Sequence, residues 1–270
     1  MTVARFPRRH RVLAAALALA GSGALAFVVG TPSSGRHAPP PPLPSSAIHI
    51  SGESAQAITA GRLLFVGASY SIGLGATAPS NGYPSLLADR LHRPYTVDAV
   101  SGTGFQNPGR HHAGTFAQRI ARVPTLPAPR IVIIQGGRDD TRYPGSEEYA
   151  AVLGTITLAQ RRFTAAQVVV LGPIPASLPV SAKVAAIRSA IGRACATAHA
   201  GFIDPITQRW ITPANEHLFG GHVRGHPNDA GYAYIAGKLM AALPAALKAA
   251  QPPLQPAPVP AVSPSAPTLT

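Results

Sequence analysis

Five short runs of nearly uninterrupted apolar residues limit what this chain can fold into. They lie at residues 62–66, 95–100, 131–134, 167–171 and 201–204. A strand with one wet face alternates apolar and polar residues. A strand buried on both faces does not, and such strands belong to parallel sheets covered by helices on either side. Ile131-Val132-Ile133-Ile134 is the clearest case, four consecutive apolar residues rich in β-branching. Helical segments fall between and after the runs, at residues 84–91, 116–123, 146–163, 180–200 and 229–247. Ser146 is the expected N-cap of the third, with Glu147 and Glu148 in its first turn, where the helix dipole favours acids. Strand and helix thus alternate, which predicts a three-layer α/β/α domain around a five-stranded parallel sheet. Ligands of such folds bind at the carboxyl ends of the strands.

The rest of the chain is different in kind. Arg5, Arg8, Arg9 and Arg11 precede an apolar run from Val12, and Ala24-Leu25-Ala26 supplies a small-x-small site. Residues 1–26 therefore read as a signal peptide, with an uncleaved N-terminal anchor as the alternative. Either places the remainder outside the cytoplasm, secreted or associated with the cell envelope. With no cysteine near Ala26, a lipoprotein anchor is excluded. Residues 27–47, with Pro39 to Pro42 and Pro44, read as a Pro-rich linker, and residues 251–270, with seven prolines and no charge, as a disordered tail. The folded domain is expected over residues 48–250.

The formal charge of +13 falls to +9 once the four leader arginines are removed. The remaining basic residues form no stripe and have no interleaved aromatics, so no nucleic-acid partner is expected. A monomer is expected. Cys195 is alone, which rules out an internal disulfide, a multi-cysteine zinc site and a Cys-x-x-Cys redox pair. His217, His222 and His226 do not match a recognised ligand spacing. Neither metal nor cofactor is expected.

Small polar motifs sit at the strand ends. Gly67-Ala68-Ser69-Tyr70-Ser71 follows the first strand and Ser101-Gly102-Thr103-Gly104-Phe105 the second. Gly136-Gly137-Arg138-Asp139-Asp140 follows the third, and His226-Pro227-Asn228-Asp229 precedes the last helix. Each alone is ordinary turn chemistry. Together, in this order on this scaffold, they supply what acyl transfer needs: a hydroxyl nucleophile, a base and preorganised N–H donors. Ser69 is the expected nucleophile and His226 the base. The backbone N–H groups of Ser69 and Gly102 are candidate oxyanion donors. Tyr70 and Phe105 are placed either beside this cleft or in the core.

On these residues the chain resembles the SGNH (GDSL-type) hydrolases over about 190 residues from Leu63. The resemblance implies a flavodoxin-like SGNH fold and an esterase, lipase or deacetylase activity. Ser69 takes the place of the Gly-Asp-Ser serine, Gly102 of the second-block glycine, and His226-Pro227 of the histidine in Asp-x-x-His-Pro.

Three positions depart from that pattern. Ala68 replaces the first-block Asp. In Gly-x-Asn-Asp register, Asp139 stands at the position of the oxyanion-hole Asn, and an ionised carboxylate cannot donate a hydrogen bond. A protonated Asp139, or one paired with Arg138, could still serve; in the other register Arg138 is the donor. Arg138 and Asp140 are thus possible supports of the site. Finally, Val223 replaces the triad acid, and Asp204, Glu216 and Asp229 are the carboxylates that could substitute, with Asp229 expected rather as the N-cap of the last helix. The function expected is a serine hydrolase acting on small-molecule, lipid or glycan esters. The alternatives are an impaired domain that binds an envelope ligand, and an O-acyltransferase using the same residues.

Overall fold

The computed structural model describes residues 27–30, 61–110, 113–220, 223 and 225–250. The signal peptide, most of the linker, the tail and His222 lie outside the described residues. Six strands form one sheet: β1 Phe27–Gly30, β2 Arg62–Gly67, β3 Tyr95–Ala99, β4 Pro129–Gln135, β5 Gln167–Leu171 and β6 Gly201–Ile203. Their order is β1-β3-β2-β4-β5-β6. The five strands from β2 to β6 are mutually parallel, as the apolar runs require. β1 adds an antiparallel edge to β3, with Phe27 opposite Asp98. Its residues fall at the start of the expected linker, and a four-residue strand carries no period of its own.

The helices are α1 Tyr83–Arg90, α2 Phe116–Ile120, α3 Gly145–Arg162, α4 Ala182–Thr197 and α5 Asp229–Ala249. Alternate strand residues separate the core into two layers. Leu63, Phe65, Ile131, Ile133, Val169 and Leu171 meet Leu87 of α1 and Leu239 and Leu243 of α5. Leu64, Val66, Val132, Ile134, Val168 and Val170 meet α2, α3 and α4 through Phe116, Ile156 and Ile191. Both faces are dry, so the strands have no polar period.

Two helix caps differ from expectation. α3 begins at Gly145 with Pro144 as N-cap, one residue before Ser146. The α5 cap is Asn228, whose Oδ1 accepts from Gly231 N–H at 2.9 Å; Asp229 lies inside the first turn instead. No helix among the described residues is long and apolar enough to cross a membrane.

β2 lies between β3 and β4, and the chain winds outward from it in both directions. The crevice at such a switch point opens over the carboxyl end of β2, where the loop carrying Ser69 begins.

Candidate active site

Ser69 follows β2 in a tight turn. The Ala68 carbonyl accepts from Ser71 N–H at 3.0 Å, and the Ser69 carbonyl accepts from Leu74 N–H at 3.0 Å. The start of the last helix is pinned to this same loop. Asp229 Oδ1 accepts from Thr77 N–H at 2.8 Å, and its Oδ2 accepts from Thr77 Oγ1 at 2.5 Å and Asn81 Nδ2 at 3.0 Å. Tyr232 Oη donates to the Leu74 carbonyl at 2.7 Å. These bonds bring His226 to the mouth of β2, and His226 Nε2 lies 2.9 Å from Ser69 Oγ across 157 residues of sequence. That distance lets a neutral imidazole take the hydroxyl proton.

The pair lies in a cleft of about 140 Å³ lined by Ala68, Ser69, Tyr70, Ser101, Gly102, Gln135, Gly136, Arg138, Asp139 and His226. Gly102 adopts φ +75°, a conformation that side chains disfavour, and a Cβ there would point into open space. Among the described residues, the N–H groups of Ser69 and Gly102 make no hydrogen bond within the chain. An oxyanion formed at Ser69 could therefore receive both.

Asp139 and Asp140 have separate jobs. Asp140 is fully buried and turned away from the cleft. Its Oδ1 accepts from the N–H groups of Gln106 and Asn107 at 2.9 and 3.0 Å, and its Oδ2 from Phe105 N–H at 3.0 Å. It thus clamps the loop that begins at Gly102. Asp139 lines the cleft. Burial raises its pKa, against the pull of the neighbouring Arg138. Arg138 lines the same cleft, so the candidate donor of either register faces it.

Behind the clamp lies a group that sequence reasoning missed. Glu148, in the first turn of α3, is fully buried. Its Oε2 accepts from Gln106 Nε2 at 2.7 Å, and Oε1 has no hydrogen-bond partner among the described residues. Desolvation, reinforced by Asp140, pushes its pKa up to about 8. Asp140 is raised by burial too, but its three amide donors oppose this. Glu148, with a single side-chain donor, has less than Asp140 to offset its burial. An acid in the first turn of a helix usually faces water, so no local pattern marks this burial.

The remaining expectations divide. Tyr70 lines the cleft, with its ring centroid 5.6 Å from that of His226. Phe105 is core, packed edge-on against Phe116 at 4.9 Å. Of the possible substitutes for the triad acid, Asp204 is ion-paired to Arg188 at 2.5 Å, and Glu216 Oε1 accepts from Leu178 N–H at 2.9 Å. Asp229 accepts from Thr77 and Asn81. Among the described residues, no group of three or more His, Cys, Asp or Glu is arranged to hold a metal.

A parallel α/β sheet with a serine–histidine pair at its switch point defines a hydrolase-type scaffold. Residues 65–234 match the model of the GDSL-like lipase/acylhydrolase family, and the chain belongs to that family. It is 31% identical over 183 residues to a GDSL lipase of Mycobacterium tuberculosis, covering 64% of this chain and 78% of that one. Among solved structures it is similar to a putative lipolytic protein of the G-D-S-L family from Desulfitobacterium hafniense. There the TM-score is 0.53 at 16% identity, with 67% of this chain and all of that one covered. It is also similar to a carbohydrate esterase family 2 enzyme from Myceliophthora fergusii. That match has a TM-score of 0.52 at 22% identity, covering 80% of this chain and 70% of that one.

Proposed function

We propose that this chain is an extracytoplasmic serine esterase that removes short acyl groups from glycan, lipid or small-molecule esters. The observation that carries the reading is the 2.9 Å contact between Ser69 Oγ and His226 Nε2, inside a cleft with two unengaged N–H groups. Ser69 Oγ attacks the ester carbonyl while His226 takes its proton. The carbonyl oxygen becomes an oxyanion facing the N–H groups of Ser69 and Gly102, and Asp139, which lines the same cleft, can add a third donor only in its protonated form. Collapse expels the alcohol, which receives the proton from His226 and leaves an acyl-Ser69. Water then repeats the steps and releases the acid. The small cleft suits an acetyl-sized group, and the mechanism needs no cofactor. The arginine-rich apolar N-terminus supports export, with cleavage after Ala26 or retention as an anchor.

Labelling by a fluorophosphonate and turnover of p-nitrophenyl acetate test the reading, in wild type and in Ser69→Ala. Labelling and turnover that vanish in Ser69→Ala are expected. A folded wild type that neither labels nor turns over ester would overturn it and leave a ligand-binding domain on a hydrolase fold.

A further inference from the structure

Where the family pattern has an acid three residues before the histidine, this chain has Val223. Two other side chains converge instead on the backbone beside His226. Tyr70 Oη donates to the Gly225 carbonyl at 3.1 Å. Arg138 Nη1 donates to that same carbonyl at 3.2 Å and to Tyr70 Oη at 2.9 Å. The three groups close a triangle around the peptide that leads into His226. Gly225 holds φ +75°, so the oxygen they share is fixed in an orientation most residues would not adopt. The Arg138 guanidinium also lies 5.3 Å from the centre of the Tyr70 ring, whose own centroid is 5.6 Å from His226.

The chain connectivity gives the triangle its effect. Tyr70 directly follows Ser69, and Arg138 stands in the loop after β4. One assembly therefore ties the nucleophile's neighbour, the base's neighbour and the cleft wall together. We propose that Tyr70 and Arg138 are positioning residues for His226, holding its ring where Nε2 meets Ser69 Oγ. This inference rests on the hydrolase reading above. In a triad the orienting carboxylate binds the imidazole itself. The triangle adds a grip through the Gly225 carbonyl and the face of Tyr70. Burial keeps the Tyr70 phenol protonated, so it remains a donor, and a guanidinium donates at every working pH.

The test uses the full-length chain and compares Tyr70→Phe, Arg138→Met, Val223→Asp and the double variant Tyr70→Phe/Val223→Asp. The readouts are the rate of Ser69 labelling by fluorophosphonate, the thermal midpoint and the imidazole 15N signals of His226. Tyr70→Phe and Arg138→Met are each expected to slow labelling about ten- to hundredfold, less than the roughly four decades lost when a triad carboxylate is neutralised. The midpoint should barely move. Val223→Asp should recover most of the loss in the Tyr70→Phe background and change wild type little, since it restores by another route what the triangle supplies. Labelling of Tyr70→Phe within about twofold of wild type overturns the proposal, on the usual scatter of such rates. So does a loss that Val223→Asp leaves untouched, because the phenol would then act elsewhere in the cleft. If wild type itself does not label, the hydrolase reading falls and the triangle is judged on the 15N signals alone. Displaced or broadened His226 signals in Tyr70→Phe sustain it, and unchanged signals overturn it.

Discussion

Replacing Glu148 with Gln should flatten the pH dependence of stability. The native carboxyl keeps its proton up to about pH 8, whereas its ordinary value is 4.5. Between those limits the folded chain carries one proton more than the unfolded chain, so wild-type stability falls as pH rises through the window. Each unit of displacement is worth about 1.4 kcal/mol, which sets a ceiling of roughly 5 kcal/mol over the full window. Rotation of the carboxyl toward Gln106 or entry of water would lower the realised part to on the order of 2–5 kcal/mol. For a domain of this size, 2–4 °C per kcal/mol translates that into a midpoint shift of about 4–20 °C. Gln has the same shape, cannot ionise and can still accept from Gln106 through its amide oxygen. Wild type and Glu148→Gln should therefore approach each other near pH 5 and separate toward pH 8.5, with the variant the more stable. Differential scanning across this range, read as the difference between the two proteins, cancels all other titrations. Parallel curves would refute the argument, since they would mean that Glu148 ionises in the folded state as it does in water.

Asp139→Asn tests the oxyanion donor. Burial raises the Asp139 pKa, so its protonated, donating form persists to higher pH than that of an exposed carboxyl and is lost as pH rises further. The amide donates throughout, and the variant should gain about 10- to 100-fold at pH 8, within the two to three decades that one donor contributes; a fall at every pH would remove Asp139 from that role. Arg119→Met should destabilise the fold by about 3–5 kcal/mol in urea titration, since it strands a buried carboxylate. Arg119 Nη1 pairs with Asp98 at 2.7 Å, and Nη2 donates to the carbonyl of Gly67, two residues before Ser69.

What could be read from the sequence was what neighbouring residues decide among themselves. The strands were legible because burial on both faces leaves a continuous apolar run, and residues 131–134 are indeed fully buried. Ser69 and His226 stood out because they occupy two strand-end motifs whose order the scaffold constrains, and the fold brings them within 2.9 Å. What stayed hidden depends on contacts distant in sequence. Asp140 reads as one acid of a pair, and only the fold shows that its partners are three amides more than thirty residues away. The Tyr70–Arg138–Gly225 triangle spans 155 residues, and no local pattern marks it. The exact helix caps were missed for a smaller reason: Ser146 and Asp229 are both good capping residues, but Pro144 and Asn228 stand just ahead of them with the extended backbone a cap needs.

The 157 residues between Ser69 and His226 also set a timetable. As the chain emerges, its N-terminal portion can pair β2 with β3 and shape the Ser69 turn while the histidine is still unmade. Contacts so far apart close late, after the intervening sheet has formed. If Ser69 is the proposed nucleophile, it would meet its base only once α5 docks against the Thr77 loop. Labelling of Ser69 would then serve as a stopwatch for the final step of assembly, and a chain cut short before residue 226 would never start it.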